Sequence, residues 1–121
     1  MATERVEFPG AEGFQLSARL ERPDRSPPRA YALFAHCFTC TKNLRAAIEI
    51  SRALCGEGFA VLRFDFTGLG ESEGDFADTN FSSNVADLSA AGRFIEAEWE
   101  GPRLLVGHSL GGAAVLHAAH E

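Results

Sequence analysis

Three short stretches, AYALFA (30–35), FAVLRFDF (59–66) and RLLVG (103–107), are apolar at consecutive rather than alternate positions. A strand with one face in water alternates apolar and polar residues, whereas a strand covered on both faces does not. Each run is far shorter than the ~20 apolar residues a membrane helix needs, so the covering has to be protein. The segments between them supply it. Leu44, Ala47, Ile48, Ser51, Leu54 and Cys55 recur at helical steps until Gly56 and Gly58 stop the pattern. From about Ser83 to Trp99, the residues Val85, Leu88, Phe94, Ile95 and Trp99 mark a second apolar side, closed by Gly101-Pro102. LGGAAVLHAAHE then follows the third strand as a helix of small residues. Strands and helices alternating in this way build a parallel sheet with helices on both faces.

Ahead of these units the period changes. Phe14, Leu16, Ala18 and Leu20 alternate with polar residues as in a half-buried strand, and VEF (6–8) before the PGAEG turn reads as its hairpin partner. RPDRSPPR (22–29) is a surface connection. The expected fold is α/β, a mostly parallel sheet with helices on both faces and an N-terminal antiparallel hairpin. At 121 residues it is a single domain, and a net charge of −6 with scattered Lys and Arg argues against nucleic acid or an anionic membrane as partner. Met1 to Gly10 has no secretory h-region, and an odd count of three cysteines argues against a disulfide framework, so a reduced, cytoplasmic protein is expected.

The chemistry concentrates at Gly107-His108-Ser109-Leu110-Gly111, a G-x-S-x-G at the junction of a covered strand and a helix. Three fixed positions match by chance in about a few per cent of chains this long, so spacing alone leaves an incidental serine open. Context points to a nucleophile elbow. The strand aims the serine at the carboxyl edge of the sheet, and small flanking residues fit a strained turn. The helix that follows favours negative charge at its N-terminus. Gly112, Ala113 and Ala114 let that helix pack close to the sheet.

VGHSLGG, the DFTGLGES turn and the order of elements resemble the N-terminal half of an α/β-hydrolase. More narrowly, HCFTC, RFDFTGLGESEGDF, NFSSNVADL and GHSLGGAAVL resemble the hydrolase part of bacterial chains in which an α/β-hydrolase precedes an OsmC-like domain. The resemblance implies a cofactor-free serine hydrolase acting on an ester, thioester or amide of small-molecule size. Ser109 would form an acyl-enzyme. The N–H of Leu110 would give half of the oxyanion hole and that of Phe38, in the loop after strand three, the other half. His36 would brace that loop, with Gly107, His108 and Gly111 supporting the turn. Where many relatives carry Gly, this chain has Cys37.

Other readings of the same residues stay open. Cys37 and Cys40 form a Cys-x-x-C at a strand-to-helix turn, where a helix N-terminus lowers a thiol pKa, so a redox pair is physically sensible. A zinc site from His36, Cys37 and Cys40 has no fourth ligand at a plausible spacing, and Cys55 reads as a small core residue. Asp65 is read as the brace of the TGLG turn in preference to a catalytic carboxylate. Gly68-x-Gly70 is too short for a nucleotide site, Ser82 or Ser83 is expected as a helix N-cap, and Glu71, Glu73, Asp75 and Asp78 as a solvated loop.

A triad in this superfamily runs Ser, then Asp or Glu, then His. On a helix, His117 lies about 12 Å and His120 about 16 Å along the axis from Ser109, out of reach of its proton. The acid and base are therefore expected beyond Glu121, with 1–121 a partial domain. RLLVG would then be a sheet edge, apolar on both faces, open to a complementing C-terminal half or to self-association. A non-catalytic scaffold pairing through that edge is the remaining alternative.

Overall fold

The computed structural model of the protein describes residues 2–24, 27–36, 45–76, 79–99, 101–102 and 104–107. The chain runs β1 (Ala2–Pro9), β2 (Gln15–Arg22), β3 (Ala30–Ala35), α1 (Arg45–Gly56), β4 (Phe59–Phe64), α2 (Phe81–Glu98) and β5 (Leu104–Gly107). One sheet takes the order β1-β2-β4-β3-β5. β1 and β2 form the expected hairpin, with Phe8 opposite Leu16, and β2 joins β4 antiparallel. β3 pairs parallel with both β4 and β5. The class is the expected one, although among the described strands parallel and antiparallel pairings are equal in number. The hairpin donates its second strand to the parallel core and so contributes one antiparallel pairing more.

From β3 the chain steps one way to β4, then returns past β3 to β5. Right-handed crossovers in opposite directions put their helices on opposite faces, and side-chain alternation shows it. Tyr31, Leu33, Ala35, Ala60, Leu62 and Phe64 pack with Val85, Leu88, Ala91 and Ile95 of α2. Ala32, Phe34 and Val61 pack on the other side with Ala47 and Cys55 of α1. Leu105 packs against the first cluster and Leu104 and Val106 against the second, so β5 is apolar toward both faces as its sequence indicated.

β2 departs from its expected half-exposed character. Leu16, Ala18 and Leu20 lie in the α2-side core, but Ser17 and Glu21 on the opposite face are buried as well. The reason is a polar core on the α1 side. Arg63 of β4 donates to Glu21 at 2.6 Å, the hydroxyl of Thr3 donates to the other Glu21 oxygen at 2.7 Å, and the Cys55 thiol donates to the Glu21 carbonyl. Charged residues can stay in such a place only when paired. Phe14, expected in the strand, stands in the turn before it and is 41 % exposed.

α2 starts earlier than its apolar spacing indicated. Asn80 is its N-cap, accepting from the Ser83 N–H at 2.8 Å, while the Ser83 hydroxyl accepts from the Asn80 N–H at 2.9 Å. Ser83 is thus the third residue of a capping box, with the serine hydroxyl taking the part usually played by Glu or Gln, and neither Ser82 nor Ser83 is the cap.

Candidate active site

The parallel register brings three strand ends level. Ala35 of β3 stands opposite Phe64 of β4 on one side and Gly107 of β5 on the other. Neighbouring strands are ~4.8 Å apart, so the residues that follow leave one rim side by side. The rim lies where successive crossovers diverge, the place at which open α/β sheets form a crevice for ligands. Gly107 is exposed there. His108, Ser109, Leu110 and Gly111, one to four residues past that strand end in sequence, lie outside the described residues, as do Phe38, Cys37 and Cys40.

His36 and Asp65 each follow the paired end of their strand, and both side chains are fully buried. His36 Nε2 lies 3.4 Å from Asp65 Oδ1. That is longer than the ~2.7–2.9 Å of a tight charge-assisted hydrogen bond. The His36 and Phe66 rings meet edge to face, with centroids 5.5 Å apart and planes at 83°. Because β4 and β5 flank β3 on opposite sides, Nε2 faces away from the strand that precedes Ser109.

Asp65 does brace the turn that follows it. Its Oδ2 accepts the Glu71 N–H at 3.1 Å, and its carbonyl accepts the Ser72 hydroxyl at 2.6 Å. Gly70, at φ +52°, passes so close that a Cβ there would overlap the Asp65 carboxylate. The turn also extends the sheet, since Glu73 N–H donates to the Gln15 carbonyl and the Ser72 hydroxyl accepts the Ser17 N–H. Of the acidic run, Glu71 faces Arg19 at 3.1 Å and Arg5 at 3.6 Å, exposed pairs that contribute little stability. Glu71, Glu73 and Asp75 are exposed, and Asp78 lies outside the described residues. Among the described residues, no group of three or more His, Cys, Asp or Glu side chains could hold a metal ion.

Asp87 is the support that motif reading passed over. Buried on α2, it accepts both the N–H of Thr67 at 2.9 Å and its hydroxyl at 2.7 Å. The turn after β4 is thus held from below by one carboxylate and along its length by another. The signal was present in NFSSNVADL: Asn84, Asp87, Leu88 and Ala91 follow three- and four-residue steps, which put Asp87 on the buried side of α2. Cys55 is buried as expected. Burial and the nearby Glu21 push its thiol up to about 11, the opposite of an activated thiol.

The fold agrees with that of the chain's relatives. The serine aminopeptidase, S33 family matches residues 26–121. Mitochondrial palmitoyl-protein thioesterase ABHD10 of Homo sapiens is 32 % identical over 109 residues, 83 % of this chain and 34 % of that protein. The crystal structure of the esterase domain of a Rhodothermus marinus protein is 56 % identical, with a TM-score of 0.80, over 98 % of this chain and 45 % of that one. XC6422 of Xanthomonas campestris, described as an α/β serine hydrolase without lid, superposes with a TM-score of 0.85. It is 25 % identical over 99 % of this chain and 56 % of its own. The chain spans 28 to 34 % of the length of the curated relatives it matches. It belongs to the serine aminopeptidase, S33 family of the α/β-hydrolases.

Proposed function

We propose that the protein is a serine hydrolase that cleaves a small-molecule ester, thioester or amide through an acyl-enzyme on Ser109. The observation that carries this reading is the register. Ala35 and Gly107 are paired partners in parallel strands, so the segments bearing Phe38 and Ser109 leave adjacent strands at one rim. In the reaction, Ser109 Oγ attacks the acyl carbon while its proton passes to the general base. The carbonyl oxygen gains negative charge and is held by the N–H groups of Leu110 and Phe38. The leaving group departs with the proton, and water then hydrolyses the acyl-serine by the same steps.

The acid and base of the triad lie outside 1–121 in this reading, in keeping with relatives about two to three times this length. A complementing segment would add beside β5, which with β1 is one of the two edge strands among the described residues. The esterase and thioesterase relatives support an oxygen or sulfur leaving group, and the aminopeptidase family an amine. A fluorophosphonate added to the full natural chain tests the assignment. The expected adduct is on Ser109, and Ser109→Ala is expected to abolish both labelling and p-nitrophenyl ester turnover. Turnover retained in Ser109→Ala would refute it.

A further inference from the structure

Asp65 divides its carboxylate between two pieces of chain. Oδ2 closes the turn by accepting the Glu71 N–H at 3.1 Å, while Oδ1 faces His36 Nε2 at 3.4 Å. Both side chains are fully buried, so the contact acts in a low dielectric, where it is stronger than in water. A carboxylate oxygen only accepts, and a ring nitrogen facing it is favoured in its N–H form. At 3.4 Å the two atoms do not make a hydrogen bond, but the carboxylate's charge favours a proton on Nε2, and the edge-to-face contact with Phe66 holds the ring plane.

We infer that Asp65 is a positioning residue for the reaction: acting through His36, it sets the tautomer and orientation of the imidazole where the chain leaves β3. His36 is two residues from the Phe38 amide assigned to the oxyanion hole. The catalytic consequence rests on the proposed hydrolysis, while the tautomer does not. Loss of the carboxylate charge is expected to lower kcat, by at most the roughly 100- to 1000-fold that follows removal of one oxyanion-hole donor.

Asp65→Asn separates the two roles. Its side-chain oxygen still accepts from Glu71, but its NH2 faces Nε2 and requires an acceptor there. The measurements are the 15N–1H ring spectrum of His36 in the full natural chain and steady-state hydrolysis of a p-nitrophenyl ester. The expected wild-type ring carries a proton on Nε2, and that proton is lost in Asp65→Asn while kcat falls with KM nearly unchanged. Ile95→Ala, some eight residues further along α2 than Asp87, is expected to lower Tm and keep kcat. An unprotonated Nε2 in the wild type overturns the assignment without need of any variant. An unchanged ring or an unchanged kcat in Asp65→Asn overturns it equally. Ester turnover that survives Ser109→Ala defeats the hydrolytic reading instead, and the ring spectra then decide the tautomer on their own.

Discussion

The crowding at Gly70 sets a sharp expectation for one added methyl group. Gly70 has φ +52°, and a Cβ built there lies 2.8 Å from Asp65 Oδ1 and closer still to the rest of the carboxylate. In Gly70→Ala the left-handed backbone costs about 1–2 kcal/mol. The carboxylate must also swing aside, weakening its bond to the Glu71 N–H. Losing a hydrogen bond to a charged group costs about 1.5–3 kcal/mol. The sum is about 2.5–5 kcal/mol, a fall in Tm of roughly 10 °C or more. Gly92→Ala provides the contrast within the same protein. It lies in the interior of α2, and nothing approaches a Cβ there within 4 Å. Removing glycine's excess backbone entropy should stabilise by roughly 0.5–1 kcal/mol. Urea melts followed by circular dichroism, with unchanged m-values, measure both. If Gly70→Ala lies within about 0.5 kcal/mol of the wild type, an order below the two summed costs, the account of this turn as braced by Asp65 is wrong.

Two further outcomes follow from the α1-side polar core. Arg63 and Glu21 are 4 % and 2 % exposed and 2.6 Å apart, so Arg63→Met, which strands a buried carboxylate, should cost about 3–5 kcal/mol by thermal or urea melts. The paired change Glu21→Leu with Arg63→Met should recover most of that loss. Cys55, raised from 9.0 to about 11 in the folded chain, keeps its proton through a range in which the unfolded thiol ionises. Its contribution to stability is therefore complete below pH 9 and is lost as pH rises from 9.0 toward 11. A pH series of urea melts comparing the wild type with Cys55→Ala should show the difference shrinking across that window.

Much of this molecule can be read along the chain because its signals are local. AYALFA and FAVLRF pack against helices on both faces, and the residues predicted for the apolar side of α2 are those in or against the core. The divergence at β2 has a tertiary cause. Glu21 and Ser17 look solvent-facing because alternation counts only the strand's own residues, whereas Arg63 reaches Glu21 from 42 positions away. Asp87 was concealed for the same reason, since its worth lies in Thr67, twenty residues earlier.

Local rules thus determined the strands β1–β5 and the helices α1 and α2, because hydrophobic period acts over a few residues. Only the tertiary structure decided that Ala35, Phe64 and Gly107 end at one level. It alone turned Asp65 into a neighbour of His36 and showed Asp87 carrying the turn between β4 and α2. Those relations depend on strand order and register. They are set by how the two helices bury opposite faces of one sheet, and no short window of sequence contains both partners of any of them.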